Sequence, residues 1–347
     1  MKILIAAHVF SPMVGGIESV TLDLALAFVN QGHEVQVITP TPSDNPKDDH
    51  GLKVIRGPGK SALLRAIRWC DVYFQSNISL QTAWPLLFIR RPWVVCTHTW
   101  IRKPDGSVKF AERMKRFLLR FATNIYISKA IGEHVGHKGN IVPNPYNAGI
   151  FRLIPGIARE RSMVFLGRLV SDKGCDLLIE SLAILRDAGC STPLTIIGSG
   201  SEEEALKKSV AEKHLGGLVN FVGILKGDAL AKELNRHEVI VVPSRWEEPF
   251  GMVALEGIAC GCLAVGSDRG GLPDAIGPCG VTFKSGNPTD LARALREVFE
   301  NRDVAQKSQK AMAGHLNNHR AEVTAARYVE IFESLCSKND KKHAFAN

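Results

Sequence analysis

The chain has 347 residues, 45% of them hydrophobic and 22% charged, which is ordinary for a globular protein and enough for two domains with separate cores. This composition excludes extended disorder, except in the last residues from Ser337. The net charge is +8. Residues 1–150 hold 18 Lys/Arg against 10 Asp/Glu, so all of the excess positive charge lies in the first half.

Short apolar runs alternate with helical patterns from the first residue onward. The helix between the first two runs spans 17–31 and ends before Gly32. Several runs are apolar on both faces, as in a parallel sheet covered by helices. The predicted strands of this part are 2–7, 34–39, 53–56, 71–75, 93–97, 124–128 and 140–142.

The alternation starts again after a stretch marked by proline and glycine at 143–156. Two such sets predict two doubly wound α/β domains, which we place at 1–150 and 151–321, with a C-terminal helix at about 322–336 packed back on the first domain. The strands of the second set are 162–166, 194–197, 220–222, 239–242, 263–266 and 281–283. Its helices are 176–188, 202–214, 228–236, 252–259 and 288–301.

Two cations follow the first strand of the second set. Gly167 permits a tight turn there, and Arg168 and Lys173 can reach one diphosphate from it, the first as a fork and the second as a point charge. Because basic residues are common in surface loops, this pair alone would be read as two solvated cations.

A stronger pattern follows the strand at 239–242. Glu248 lies in the loop, and Glu256 lies in an otherwise apolar helix that opens near Met252, where a carboxylate needs a polar partner. Sugar hydroxyls are such partners, and the free amides of a helix N-terminus bind phosphate. Gly270 and Gly271 after the next strand allow close backbone approach.

The sequence Gly198-Ser-Gly200 is similar to part of a dinucleotide fingerprint. The third glycine is missing, and the three glutamates at 202–204 would repel a pyrophosphate at that helix start, so a dehydrogenase is excluded. We interpret Ser201 as the cap of the helix at 202–214.

Taken in order, the motifs resemble those of the family-4 retaining glycosyltransferases with the GT-B fold, in which two Rossmann-like domains face each other across a cleft. The resemblance covers nearly the whole chain. Its elements are 10–16 with Gly15 and Gly16, Cys96-Thr-His98, Val142-Pro-Asn144, Gly167-Arg168 with Lys173-Gly174, Gly198-Ser-Gly200, Glu248 with Glu256, and Gly270-Gly271. The sequence departs from the family at Asn144-Pro145, where Asn-Gly is frequent, and at Asn147, where Asp is frequent; both lie in the linker.

The resemblance implies a role for each site residue. Arg168 and Lys173 would hold the donor diphosphate, Glu256 the ribose, and Glu248 the hydroxyls of the transferred sugar. The backbone amides of Phe250, Gly251, Met252 and Val253 would assist Glu248. Gly15 and Gly16 would bring the first helix to the phosphates, and His98 would contact the transferred sugar. His98 alone would be read as a core histidine, and Glu18 is either a favourable charge at a helix N-terminus or an acceptor contact.

The implied reaction retains the anomeric configuration and moves a hexose-type sugar from a nucleotide-sugar to a glycan or lipid-linked acceptor in bacterial surface polysaccharide, lipopolysaccharide or glycolipid assembly. We expect no cofactor and no metal, because no Asp-x-Asp occurs and fixed cations can replace the metal. A UDP-sugar is the favoured donor. A nucleotide-sugar epimerase and a non-catalytic sugar-nucleotide-binding subunit remain alternatives.

The apolar start of the chain stops at His8 and predicts a strand, not a signal peptide, and no apolar run approaches the ~20 residues that span a bilayer. The eight cysteines form no Cys-x-x-Cys pair, which indicates free thiols in a reducing compartment. We therefore expect a cytoplasmic protein, or one attached peripherally to the inner face of the membrane.

Acidic partners of the first half include a membrane surface or a phosphate-bearing acceptor; nucleic acid is not expected, because no motif supports it. Residues 89–120 contain nine Lys/Arg and two Asp/Glu, and 108–122 has helical period. This pattern fits an interfacial helix on an anionic membrane, or a sheet-covering helix whose apolar stripe is core. The apolar stripe is Phe110, Met114, Phe117, Leu118 and Phe121, and the basic stripe is Lys109, Arg113, Arg116 and Arg120.

Overall fold

The computed structural model describes residues 1–13, 15–102 and 108–344, with the backbone alone for 160–162 and 338–344. It divides into two compact units, Met1–Pro145 with His319–Asn347, and Tyr146–Asn318. The boundaries expected at residues 150 and 321 therefore lie five and three residues after those observed. Tyr146 and Phe151, both buried, already belong to the second unit.

The first unit contains a parallel sheet of seven strands in the order β3-β2-β1-β4-β5-β6-β7. All seven strands lie within two residues of their expected ends. The apolar runs of the inner strands β1, β4 and β5 are buried, as in a parallel sheet covered on both faces, whereas the edge strands β3 and β7 contain no buried residue. The elements are β1 Lys2–Ala7, α1 Gly16–Asn30, β2 Glu34–Thr39, β3 Lys53–Arg56, α2 Lys60–Trp69, β4 Val72–Ser76, α3 Leu80–Ala83, β5 Trp93–Thr97, α4 Phe110–Leu118, β6 Thr123–Tyr126, α5 Lys129–Val135 and β7 Gly139–Ile141.

The second unit contains a parallel sheet of six strands in the order β10-β9-β8-β11-β12-β13. The five expected helices are present as α6 to α9 and α11, and two further helices, α10 and α12, lack a sequence signal. The elements are β8 Glu160–Leu166, α6 Cys175–Asp187, β9 Leu194–Ile197, α7 Glu203–Glu212, β10 Val219–Gly223, α8 Gly227–Leu234, β11 His237–Val242, α9 Met252–Ala259, β12 Leu263–Ser267, α10 Leu272–Ile276, β13 Gly280–Phe283, α11 Pro288–Glu300 and α12 Arg302–Asn318.

The last helix, α13 at Ala321–Ala344, belongs to the first unit. The ring of Phe28 on α1 lies 6.2 Å from that of Tyr328 and 5.7 Å from that of Phe332. Phe74 of β4 contacts the same two rings. These aromatic contacts hold α13 on α1 and extend the core of the first unit.

Three smaller expectations can be compared with the described residues. Ser201 does not cap α7: the N-cap is Glu202, and no side chain bonds to the helix start. None of the eight cysteines, all of which are described, forms a disulfide. In the described part of the chain, no helix combines the length and the apolar composition needed to cross a membrane.

Candidate functional site

In the second unit, the direction of winding reverses at β8. The chain leaves β8 for β9 on one side of it, and later returns to place β11 on the other. In doubly wound sheets, ligands bind outside the carboxyl ends of the strands at such a point. The loops that follow β8 and β11 carry the residues expected to bind the donor.

Lys173 and Glu248 form an ion pair, with 2.6 Å between Nζ and Oε1. Ser244 donates a hydrogen bond to the same oxygen at 2.9 Å. The two charged side chains are 21% and 16% exposed, so both are held in position and still accessible. The sequence predicted that each would bind a part of the donor, but it did not predict this bond between them.

Arg168 is exposed, and it forms no ion pair with the residues that the structure describes. The turn around Gly198 and Gly200 supports the loop that carries it. Leu169 N donates to the carbonyl of Ser199 at 2.9 Å, and a Cβ on Gly198 or Gly200 would collide with a carbonyl oxygen of the loop at Gly167 or Leu169. These two glycines therefore allow the turn to pack closely against the backbone of the loop that carries Arg168. The sequence did not reveal this structural role.

The loops after β8 and β11 are joined by their backbones. The amides of Arg245 and Trp246 donate to the carbonyl of Asp172 at 2.9 and 3.0 Å. The guanidinium of Arg245 also pairs with Asp176, with 2.7 and 2.5 Å between the atoms of the two hydrogen bonds. Sequence reasoning missed this second pair, which fixes the loop that carries Glu248 to the start of α6.

Gly270 and Gly271 attach the loop after β12 to the same cluster. Gly271 N donates to the carbonyl of Glu248 at 2.7 Å. Gly270 has φ +64°, and a Cβ there would collide with that carbonyl. Three successive strand ends thus converge around Glu248.

The helix α9 begins inside this cluster. Gly251 is its N-cap with φ +118° and supplies no side-chain cap, and the first amides of a helix have no intrahelical carbonyl partner. Met252 and Val253 are half-buried at the first turn, whereas Phe250 is buried. The geometry is that of a helix N-terminus able to accept an anion.

Glu256 lies on the second turn of α9 and is half-buried, and no hydrogen bond or ion pair joins its side chain to the other described residues. Burial raises the pKa of this carboxyl to about 7. At neutral pH the side chain is therefore a hydrogen-bonding group without a partner among the described residues, and the binding of ribose hydroxyls by Glu256 stays a prediction.

In the first unit, the corresponding reversal of winding lies between β1 and β4. Gly15 is the N-cap of α1, which opens at Gly16, and no side chain caps it. A Cβ on Gly15 would collide with the carboxylate of Glu18. Glu18 therefore already places a negative charge beside the start of this helix, which is electrostatically favourable.

His98 follows β5 and is 3% exposed. Its backbone amide donates to Asn77 Oδ1 at 2.8 Å, but neither ring nitrogen has a hydrogen-bond partner among the described residues. Burial lowers the pKa of His98 to about 4, opposed by a weaker interaction with Asn144. The imidazole is neutral at physiological pH and offers one donor and one acceptor.

The expected site residues thus fall into two groups. Gly15, Gly16 and His98 belong to the first unit. The donor residues from Arg168 to Glu256 belong to the second unit, where the connected strand ends bring the loops around Lys173 and Glu248 together.

Two family models match the chain along most of its length. The model described as Glycosyltransferase Family 4 matches residues 14–147, and the model described as Glycosyl transferases group 1 matches residues 154–314.

Individual relatives resemble the whole chain or its second half. The phosphatidyl-myo-inositol mannosyltransferase of Propionibacterium freudenreichii subsp. shermanii is 26% identical over 345 aligned positions, covering 87% of each chain. The glycogen synthase of Mycobacterium tuberculosis is 34% identical over 158 residues, or 45% of this chain. That match spans only 38% of the length of the glycogen synthase.

Solved structures agree with the fold over almost all of the chain. Anabaena Alr3699/HepE in complex with UDP superposes with a TM-score of 0.79 at 19% identity, covering 96% of this chain and 100% of that one. The sucrose-phosphate synthase of Thermosynechococcus elongatus gives 0.77 at 20% identity, with 97% and 99% covered. The expected GT-B fold is confirmed. With one model of the family on each unit, this chain belongs to the family-4 glycosyltransferases.

Proposed function

We propose that the protein is a retaining, metal-independent glycosyltransferase that moves a hexose-type sugar from a nucleotide-sugar donor to an acceptor. The observation that carries the proposal is the convergence of strand ends around Glu248, where the Lys173–Glu248 pair and the N-terminus of α9 with Glu256 come together. Cations, free amides and partnerless carboxyl oxygens are the groups that a diphosphate and several hydroxyls require.

Each group has a place in the proposed donor complex. Arg168 and Lys173 neutralise the diphosphate, and the first amides of α9 add donors to the same charge. Glu256 accepts hydrogen bonds from the ribose, and Glu248 from the transferred sugar. His98, neutral because its pKa is about 4, hydrogen-bonds a hydroxyl of that sugar without adding charge.

The chemistry follows from where charge develops. As the bond between the sugar and the diphosphate breaks, negative charge grows on the departing phosphate and positive charge on the sugar. Cations and helix amides fixed at the phosphate stabilise that change without reorganising. The leaving phosphate, on the face from which the acceptor attacks, takes the proton of the acceptor hydroxyl, so retention needs no covalent carboxylate.

The donor is proposed to be a UDP-sugar. Structures similar to this chain carry UDP and UDP-glucose in Anabaena Alr3699/HepE, although at identities that establish the fold alone. Several relatives are named for phosphatidyl-myo-inositol or inositol phosphate as acceptor, which supports a phosphate-bearing or lipid-linked acceptor. A role in bacterial surface polysaccharide, lipopolysaccharide or glycolipid assembly is part of the proposal.

The proposal places the protein at the inner face of the membrane. Residues 89–120, of which 103–107 lie outside the described part of the chain, contain nine Lys/Arg against two Asp/Glu, and this charge is the basis for peripheral contact with anionic lipid. The attraction of each basic residue to an anionic leaflet falls off within a Debye length.

A donor panel tests this function directly. Calorimetry with UDP-, GDP- and ADP-sugars is expected to show strong binding for the sugars of one base only. Arg168→Ala is expected to lower the affinity for that donor roughly 10- to 150-fold through the loss of a charge-assisted contact. Arg236→Ala, which removes an exposed arginine paired to Glu233 elsewhere in the unit, is the control. Binding of none of the three donors, or equal effects of the two variants, would contradict the proposal.

The reaction separates the alternatives. A transferase releases nucleoside diphosphate in an acceptor-dependent way and keeps the anomeric configuration of the donor, which proton NMR of the product reports. A new nucleotide-sugar formed without an acceptor would instead indicate an epimerase. Donor binding without any product, across an acceptor panel, would indicate a non-catalytic subunit.

A further inference from the structure

The helix α4 does not cover the sheet with its apolar stripe. None of its residues, Phe110–Leu118, is buried, and Phe110 and Phe117 are 77% and 50% exposed. Of the two interpretations left open by the sequence, a core-facing stripe is therefore wrong for this helix. The remaining question is what these side chains contact.

The apolar face of α4 borders a groove of about 1050 Å³ that lies entirely within the first unit. The 3-10 turn Trp84–Leu87 and the residues after it form the other side. Leu87 and Phe88 are 77% and 78% exposed. Its lining is mainly apolar and includes Trp84, Leu86, Trp93, Met114, Leu118 and Phe121.

The exposed phenylalanines of the described residues lie in or next to the two segments that line this groove. Phe88, Phe110, Phe117 and Phe121 are the exposed phenylalanines of the described chain. Other exposed large apolar residues, such as Leu153 and Ile224, are scattered singly. A contiguous exposed apolar patch marks a binding surface, whereas single exposed residues need no explanation.

The groove is flanked by arginines, some of which are exposed and form no ion pair with a described residue. Arg90, Arg113 and Arg120 are exposed, and none of them forms an ion pair with a described residue. Two other arginines are held by the protein: Arg91 donates to the carbonyls of Ile67 and Arg68, and Arg116 to the carbonyl of Ile101. Arg116 was expected on the outer basic stripe, and its hydrogen bonds to Ile101 and His134 correct that expectation.

We propose that the exposed apolar residues lining this groove, Leu87, Phe117 and Phe121, insert among the acyl chains of an anionic lipid bilayer, with Arg90, Arg113 and Arg120 at the headgroup phosphates. Charge complementarity favours this occupant, since a second copy of the chain would bring the same unpaired cations together. Amphipathic surfaces with bulky apolar residues and a basic flank bind the interface in this way. The inference deepens the membrane contact of the proposed function, from electrostatic attachment to insertion.

The test is co-sedimentation of the full chain with vesicles of phosphatidylglycerol and phosphatidylcholine, or of phosphatidylcholine alone, without any donor. Since no transfer is measured, a failure here leaves the proposed function to be judged by its own donor experiment. Wild-type protein is expected to bind the anionic vesicles at low salt and to retain part of that binding at about 1 M salt, where the Debye length is ~3 Å.

Two variants separate the apolar and the ionic contributions. Phe117→Ser/Phe121→Ser is expected to lose the salt-resistant fraction, with affinity at least roughly tenfold lower. Arg90→Gln/Arg113→Gln/Arg120→Gln is expected to lose roughly 100-fold at low salt, about fivefold for each charge. All five side chains are exposed, so both variants are expected to keep the fold, which circular dichroism checks.

Matched controls come from the second unit. Leu153→Ser/Ile224→Ser removes two apolar residues that are 65% and 63% exposed, and Arg302→Gln/Lys307→Gln/Lys310→Gln removes three exposed cations from α12. Both controls are expected to bind like wild type. Release of all bound protein by high salt, or equal effects of the test and control variants, would overturn insertion. So would a dimer, seen by light scattering, that Phe117→Ser/Phe121→Ser dissociates while wild type binds no vesicles.

Discussion

If Lys173 and Glu248 bind different parts of the donor, substituting Glu248 is expected to change the affinities for UDP and for a UDP-sugar in opposite directions. Lys173 is assigned to the diphosphate, which both ligands have, and Glu248 to the transferred sugar, which UDP lacks. The side chains are joined at 2.6 Å, so a change in either one alters the electrostatic surroundings of the other.

The magnitudes follow from exposure and charge. Lys173→Ala removes a charge-assisted contact worth about 1.5–3 kcal/mol, so the affinity for both ligands is expected to fall roughly 10- to 150-fold. Glu248→Gln frees the ammonium from a partly exposed pair worth about 0–1 kcal/mol. The affinity for UDP is then expected to stay unchanged or to rise by at most about fivefold.

The UDP-sugar is expected to respond to Glu248→Gln in the other direction. Its hydroxyls lose a charged acceptor, which costs about 1.5 kcal/mol or more. The ratio of the dissociation constants of UDP-sugar and UDP is therefore expected to rise about tenfold in Glu248→Gln and to change little in Lys173→Ala. Titration calorimetry with both ligands on each variant measures this ratio.

Lys207→Ala provides the control, because Lys207 is also a paired lysine of the second unit, at 2.9 Å from Glu203 on α7. It is expected to leave both affinities unchanged. The reasoning is refuted if Glu248→Gln weakens UDP and UDP-sugar by the same factor, or if Lys173→Ala leaves the affinity for UDP intact.

Three further predictions concern pH, stability and metal. Because burial raises the pKa of Glu256 to about 7, kcat/KM for the donor is expected to fall as the pH drops through 7 and this carboxylate is protonated. In Glu256→Gln, kcat/KM is expected to be low and independent of pH in that range. A variant that kept the pH dependence of wild type would contradict the ribose assignment. The pKa of Asp23 on α1 is raised to about 6 by burial and by the carboxylate of Glu322. Ionisation of Asp23 therefore lowers the free energy of unfolding progressively as the pH rises from 4 through 6. Asp23→Asn is therefore expected to raise the free energy of unfolding by up to about 3 kcal/mol at pH 8 and by little at pH 4, and denaturant titrations that show equal gains at both values would refute this. Activity is expected to persist in EDTA, and complete loss that Mg²⁺ or Mn²⁺ restores would show that the fixed cations do not suffice.

Much of the fold was predictable, because the signals that define it are local. The strands follow from short runs of three to six residues, and α9 was predicted with its observed ends because a glycine turn precedes it and an apolar run fills it. The helix α12 escaped prediction, since only Ser308 is buried along Arg302–Asn318 and no clear apolar stripe exists. Ser201 was misassigned as a cap because the chain enters α7 one residue later, at Glu202.

The candidate donor residues were also identified from sequence, through the order and spacing of short motifs. Their mutual contacts were not. Lys173 and Glu248 are 75 positions apart, and the pairing of Arg245 with Asp176 spans 69. Such contacts depend on which strands become neighbours in the sheet, and the placement of β11 beside β8 is set by the packing of the whole unit.

The helix α4 shows most clearly what sequence and tertiary structure each decide. Its helical periodicity and its apolar and basic stripes can be predicted from the sequence, because side chains three and four residues apart share one helix face. That period is the same whether the apolar face meets a sheet or solvent. Only the tertiary structure shows that no described element covers Phe117 and Phe121. It also shows that Arg116 donates to the carbonyl of Ile101 while Arg113 and Arg120 stay exposed. The physical reason is that burial depends on the presence of a partner surface, which a local pattern does not encode.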